Sequence, residues 1–370
     1  MVVVVVVAAV VIPVVAMGAP DSAAPALPAN EVAAVAPPLG QLALAGFLTA
    51  GEGRKVSDKA LINYRRCADR YELWRASGGR VHSLATVEVN VVDYLDYLGL
   101  VGAALGEMET SAAAILHFTP GACRTHLKRI GRALAGWKKG KPPRSRLPLA
   151  EELVASLSVV LLHLGSRESC LKTILSKHAY LRPGEVEKLR VEDLNAPAGG
   201  PQQGVQLWTI TVAPSHRLET DKVGVSDEAV VLDQLPWLGP ELAKLKVGKL
   251  PSDLLFAEPV HLAVKNWKAA CSALRIEAHR YQLRHAGASA DTLARTRSTG
   301  EIMARGRWSS AASLRRYAKP GVLQRCLHRL PAELRTFGAW SVQNLQQVVC
   351  EGVPVVLPEL QHLPVVSVVQ

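Results

Sequence analysis

Residues 279–319 read HRYQLRHAGASADTLARTRSTGEIMARGRWSSAASLRRYAK, from His279 to Lys319. The stretch holds an Arg284-His285 pair, a Gly306-Arg307-Trp308 turn, and Tyr317 nine residues after the tryptophan. Working upstream, YLRPGEVEKL from Tyr180 to Leu189 sets Arg182 and Glu185 at the head of an expected helix. Two arginines and a later tyrosine suit attack on a phosphodiester. A phenol attacking phosphorus builds negative charge on the non-bridging oxygens, and preorganised cations there stabilise the transition state more than the substrate. Guanidiniums fit this task because each presents a rigid fork of donors and stays charged at any working pH. An Arg followed by Glu at a helix start is also a common surface ion pair, and helix tyrosines are common structural residues. The order and spacing of the whole set decide between these readings.

At these residues the chain resembles the tyrosine recombinases, or phage-type integrases, particularly those of eukaryotic mobile elements. The resemblance covers roughly residues 55–330 and is strongest from Arg182 to Tyr317. It implies that Arg182 and Arg284 clamp the scissile phosphate and that Tyr317 forms a covalent 3′-phosphotyrosyl link to DNA. That link conserves the energy of the broken bond, so no ATP, metal or other cofactor is expected. The family usually has histidine three residues before the second arginine, where this chain has Tyr281; His279 lies five before it. A Gly-His pair usually precedes the tyrosine, and here Arg307 and Trp308 stand in those positions. Some family members use tryptophan there, packed against the tyrosine-bearing helix and donating an indole N–H. The resemblance also implies a lysine on a β-hairpin that protonates the leaving 5′ oxygen. Lys222, in Thr220-Asp221-Lys222-Val223-Gly224, is the candidate. Glu185 and His285 are expected in support, with His285 packed inward near Glu185.

The chain has 370 residues, enough for two domains with separate cores. Lys plus Arg number 43 against 32 Asp plus Glu, a formal charge of +11 that favours a polyanionic partner. Six scattered cysteines without a C-x-x-C pair suggest neither a zinc site nor a disulfide framework, and read as reduced intracellular thiols.

Residues 1–50 open with MVVVVVVAAVVIPVVAM and continue Ala- and Pro-rich. The apolar run lacks a basic flank, is broken by Pro13 and is shorter than a bilayer span of roughly 20 residues. It reads as a signal peptide ending near Ala19, or as low-complexity sequence or an incorrect gene start. The resulting expectation is nuclear localisation in a eukaryote, cytoplasmic otherwise, with no stable membrane partner.

Residues 51–140 are expected to form a helical core-binding domain that grips DNA. From Ser57, an apolar stripe of Ala60, Tyr64, Cys67, Tyr71 and Trp74 recurs at four-three spacing, and Gly78-Gly79 ends the helix. Basic residues off that stripe include Arg65, Arg66 and Arg70. Further helices are expected over Val89–Leu100 and Arg124–Lys139, with 102–119 left undefined. Residues 141–148 read as a basic linker, in which Pro142 and Pro143 stop a helix. Lys138, Lys139, Lys141, Arg144 and Arg146 are candidate phosphate contacts.

The catalytic domain is placed at 149–335. Helices are expected over Leu149–Leu164, Lys172–Tyr180, a stripe from Val260 to Leu274, Ala286–Leu293, and around Ile302 and Tyr317. Gln206–Ala213 and Glu228–Leu232 alternate as strands on either side of Lys222. Residues 336–370 read as a C-terminal tail, and Val322–Leu330 as a helix able to dock on a neighbouring subunit. The fold class is therefore mainly α with a small antiparallel sheet (α+β): a helical core-binding domain followed by a catalytic domain. The resemblance implies a site-specific recombinase or integrase that self-associates on double-stranded DNA, from dimer to tetramer. Type IB topoisomerase-like relaxation and an inactive, domesticated DNA-binding protein remain the alternatives.

Overall fold

The structure is a computed structural model and describes residues 56, 58–119, 121–122, 127–140, 147–198, 207–217, 226–362 and 364–368. The low-complexity segment 1–50, Lys141, Arg144, Arg146 and Lys222 lie outside the described residues. The chain divides into two compact units between residues 143 and 144.

The first unit contains α1 (Asp58–Ser77), α2 (Val87–Leu100), α3 (Leu105–His117) and α4 (Lys128–Gly140). Its core gathers Tyr71, Val91, Tyr94, Leu95, Met108, Ile115, Ile130 and Leu134. The stripe expected on α1 buries at Cys67 and Tyr71, while Trp74 packs from the edge. Helix α3 occupies the stretch left undefined by sequence. Leu105, Met108, Ala112 and Ile115 supply its buried face at three-four-three spacing. Helix α4 starts at Lys128. Lys138 and Lys139 on α4 and Arg66 on α1 are exposed. Arg70 instead pairs with Glu107 at 2.6 Å, so part of the basic face is neutralised within the unit.

The second unit is built around α5 (Glu151–His163), whose residues from Leu153 to Leu161 are all buried. Ser156 and Ser158 are accommodated there because each hydroxyl donates to a carbonyl four residues earlier, at 2.7 and 2.8 Å. Helix α6 (Arg167–His178) packs beside α5, and the short α7 (Pro183–Val186) follows. Strands β1 (Leu194–Asn195), β2 (Thr209–Val212) and β3 (Glu228–Val231) form an antiparallel sheet in chain order. Ile210 pairs with Leu194 on one side and Val230 on the other, and these three residues face the core.

Helices α8 (Leu238–Ala243) and α9 (Val260–Ala273) lead to β4 (Ile276–Glu277). The unit continues with α10 (Gln282–Ala294), α11 (Thr299–Gly306), α12 (Ala311–Tyr317), α13 (Pro320–His328), α14 (Ala332–Glu351) and β5 (Val366–Ser367). The architecture is mainly helical with a small antiparallel sheet, as expected.

The stretch expected as a C-terminal tail, 336–370, instead begins inside a helix. Helix α14 runs for 20 residues, packs against α5 and buries Leu334, Phe337, Leu345, Val348 and Val349. Strand β5 then pairs in parallel with β4, the Val366 N–H donating to the Arg275 carbonyl at 2.8 Å. Helix α13 is likewise occupied within the chain, packing against α10 with Leu323 and Cys326 buried. Among the described residues no helix is long and apolar enough to cross a membrane.

Candidate active site

Arg182 sits at the N-cap of α7, followed by Pro183, whose missing N–H is tolerated at a helix start. Its backbone N–H donates to Glu185 Oε2 at 2.7 Å, and its guanidinium pairs with Glu185 Oε1. Glu185 Oε2 also accepts from Arg307 Nη2 at 2.5 Å and lies 3.8 Å from Arg284 Nη1. A single carboxylate is thus surrounded by three guanidiniums. Arg307 Nε adds a second carboxylate, Glu228 Oε2 on β3, at 3.2 Å.

Arg284 enters from the first turn of α10 and is wholly buried. Its terminal nitrogens donate to the carbonyls of Tyr180 and Gly306. Both carbonyls lie beside left-handed backbone, with φ of 48° at Tyr180 and 53° at Arg307. Arg284 Nε has no hydrogen-bond partner among the described residues. Burial, then the nearby Arg307 and Arg182, push the Arg284 pKa down to about 10. The group therefore remains a cation at neutral pH.

The Arg284 guanidinium carbon lies 4.9 Å from the Trp308 ring centroid and 5.4 Å from that of Tyr317. Trp308 stacks on Tyr317 at 4.7 Å with an interplanar angle of 29°. Gly306 makes that placement possible, since a Cβ there would fall 2.2 Å from the Trp308 ring. The buried Trp308 indole nitrogen has no hydrogen-bond partner among the described residues. The Tyr317 ring also meets His285 at 4.6 Å, and its hydroxyl lies 3.0 Å from the Tyr281 hydroxyl. His285 is buried, and its ring also lies 5.9 Å from that of Tyr281. Ser289 of α10 fixes the end of α12, donating to the Tyr317 carbonyl at 3.0 Å and accepting from the Lys319 N–H at 2.9 Å.

Arg182, Glu185, Tyr281, Arg284, His285, Trp308 and Tyr317 therefore share one cluster, although 135 residues separate Arg182 from Tyr317. His279 accepts from the Tyr281 N–H through Nδ1 at 3.1 Å, which ties it to the backbone at the start of α10.

Sequence reasoning missed Arg307 as a member of the cluster, because its partners Glu185 and Glu228 meet it only in the fold. Its position where the resembling family has glycine was the available signal. Behind the site runs a second unread network. The Tyr180 hydroxyl donates to Asp291 Oδ2 at 2.5 Å, Gln234 Nε2 donates to Asp291 Oδ1 at 2.7 Å, and His178 Nδ1 meets Gln234 Oε1 at 2.8 Å. It holds the end of α6 to α10 and so fixes the Tyr180 carbonyl that receives Arg284. Among the described residues no group of three or more His, Cys, Asp or Glu side chains could hold a metal ion.

No family model matches the sequence, and no curated protein matches it. Among solved structures, the crystal structure of XerA recombinase aligns at 15% identity with a TM-score of 0.36, covering 79% of this chain and 99% of that chain. With superposition and identity this low, the functional reading rests on the site.

Proposed function

We propose that the protein breaks and rejoins DNA strands as a site-specific recombinase, through a covalent tyrosyl intermediate. The observation that carries the proposal is the placement of the Tyr317 ring 5.4 Å from the Arg284 guanidinium, within the cluster that also contains Arg182 and Trp308. In this reading Tyr317 Oη attacks phosphorus and the bond to the 5′ oxygen breaks, leaving the 3′ phosphate on the tyrosine. Arg182 and Arg284 offset the charge that develops on the non-bridging oxygens. The Trp308 indole N–H, which has no hydrogen-bond partner among the described residues, is proposed to serve the same oxygens. Lys222 is proposed to protonate the leaving oxygen. The same phosphotyrosine is then attacked by a 5′ hydroxyl, which restores the phosphodiester and frees Tyr317. Double-stranded DNA is the proposed partner, and exchange between two sites requires several protomers.

The test is incubation with a pool of randomised duplexes carrying nicks, followed by denaturing electrophoresis. A protein–DNA adduct that survives denaturation and is lost in Tyr317→Phe is the expected result. Salt-sensitive DNA binding without any adduct would favour a second reading, an inactive DNA-binding protein. One observation favours that second reading: Arg284 is wholly buried and both its terminal nitrogens already serve backbone carbonyls.

A further inference from the structure

Arg307 is the one guanidinium of the cluster with no counterpart in the reading of the sequence. Its backbone adopts φ 53° and ψ 47° at the C-cap of α11, a left-handed conformation in which glycine avoids the steric cost borne by other residues. Its side chain is almost completely buried, hydrogen-bonds Glu185 at 2.5 Å and lies in ion-pair range of Glu228 at 3.2 Å.

The charges decide what this does. Arg182, Arg284 and Arg307 face the carboxylates of Glu185 and Glu228, three cations against two anions. Without Arg307 the count becomes two against two, and the cluster loses its net positive charge. Geometry reinforces the point. Glu185 Oε2 is held by Arg307 Nη2 and the Arg182 backbone N–H, and the next guanidinium within reach of that oxygen is Arg284, at 3.8 Å. With Arg307 gone, Glu185 would close on Arg284 and compete with an incoming phosphate for the same donors.

We propose that Arg307 is a positioning residue, which holds Glu185 Oε2 away from Arg284 and so keeps the charge of the cluster net positive toward a phosphodiester. This inference rests on the strand-breaking reading of the site. It makes Glu185 an internal competitor of the substrate and Arg307 the group that restrains it.

The experiment measures binding of inorganic phosphate to the full chain by calorimetry, with melting temperature recorded for each variant. Arg307→Gly suits the left-handed backbone and is expected to weaken phosphate binding about tenfold. The double variant Arg307→Gly with Glu185→Gln removes the competing charge while keeping a side-chain acceptor for the Arg182 N–H. It is expected to return affinity to within about twofold of wild type. A merely structural role for Arg307 gives no such rescue. Arg307→Lys, expected to weaken binding by only about threefold, carries the test if the glycine variant does not fold. Unchanged affinity in Arg307→Gly, or in Arg307→Lys where the glycine variant does not fold, would overturn the proposal, as would failure of Glu185→Gln to restore it. Absence of phosphate binding in wild type, or binding indifferent to Arg182→Ala, would instead overturn the strand-breaking reading and this inference with it.

Discussion

The hydroxyl oxygens of Tyr281 and Tyr317 lie 3.0 Å apart, so one phenol donates a hydrogen bond to the other. Burial, followed by the hydrogen bond with Tyr317, raises the Tyr281 pKa above its ordinary value near 10. Tyr281 therefore keeps its proton at neutral pH, and either hydroxyl can donate to the other. On the proposed strand-breaking reading, Tyr281 would orient the nucleophile and could not act as its base at neutral pH. Such a site depends for its rate on charge stabilisation at the phosphate more than on proton removal.

That division of labour separates two variants. Tyr317→Phe should abolish the covalent DNA adduct with little change in melting temperature, because only the attacking oxygen is removed. Tyr281→Phe should leave an adduct formed up to about tenfold more slowly, roughly 1.4 kcal/mol. Tyr281→His, which retains a donor, should stay within about tenfold of wild type. The measurement is the rate of adduct formation on nicked duplexes. An adduct that persists in Tyr317→Phe and disappears in the double phenylalanine variant would transfer the nucleophile's role to Tyr281.

The two arginines proposed as clamps should differ in a way sequence alone did not suggest. Arg182→Lys keeps the charge of a partly exposed residue and should slow adduct formation by about 2–4 kcal/mol, with a small effect on melting. Arg284→Lys loses the fork that reaches the Tyr180 and Gly306 carbonyls and can serve only one of them, with the longer 3.4 Å contact from Arg307 as the other donor to Tyr180. It should slow the reaction similarly and also destabilise the fold by about 1–3 kcal/mol. Denaturant titration of both variants beside wild type checks this. Equal stability would mean that Arg284 is not held by those carbonyls.

What the sequence disclosed follows the strength of contrast between faces. Helix α1 was legible because Cys67 and Tyr71 lie on one side and Arg65, Arg66 and Arg70 on others. Helix α3 has an equally regular buried face, but Ala112, Ala113 and Ala114 blur its edges. Helix α14 was missed for a related reason: the middle of its outward face carries Gln343, Gln346 and Gln347 instead of charges. Prolines 354, 358 and 364 then suggested a loose tail, although the last of them lies two residues before a strand that pairs with β4. At the site, residue types and their order pointed to Arg182, Arg284, Trp308 and Tyr317. The Arg307–Glu185–Glu228 triad and the Tyr180–Asp291 bond were hidden because they join residues far apart in the chain, and no local pattern encodes them.

Integration of α14 has its own test at Gly338. In a helix interior, alanine is favoured over glycine by about 1 kcal/mol, so Gly338→Ala would stabilise a free helix. Here an added Cβ would lie 2.5 Å from Glu152 Cβ and 3.3 Å from the Glu152 backbone, where α14 packs against α5. The substitution should destabilise the protein by about 1–3 kcal/mol. Gln343→Ala, on the exposed side of the same helix, should change stability by less than about 0.5 kcal/mol. A higher melting temperature in Gly338→Ala would show that α14 does not sit on α5.

The network behind the site predicts a pH dependence of stability centred on His178. Its Nδ1 lies 2.8 Å from Gln234 Oε1 and its Nε2 3.5 Å from Lys177 Nζ, so the neutral ring donates to the glutamine and faces a cation on its other side. Burial, then Lys177, push the His178 pKa down to about 4, against about 6.5 in an unfolded chain. Above pH 6.5 the residue is neutral in both states and favours neither. As pH falls below 6.5 the unfolded chain takes up a proton that the folded protein refuses until about pH 4, so stability declines through that window and levels off below it. The full loss is on the order of 3 kcal/mol. His82 in the helical unit is shifted in the same direction by burial, and the depressed pKa of Glu151, the ion-pair partner of Lys177, adds a loss only below about 4.5. The informative quantity is therefore the difference between wild type and His178→Gln, whose amide can still donate to Gln234. Between pH 6.5 and 4.5 that variant should lose stability more slowly than wild type in denaturant titrations. Parallel curves across this window would mean that His178 takes up its proton in the folded protein as readily as in the unfolded chain, and that the network does not close the wall behind Arg284 in the way described.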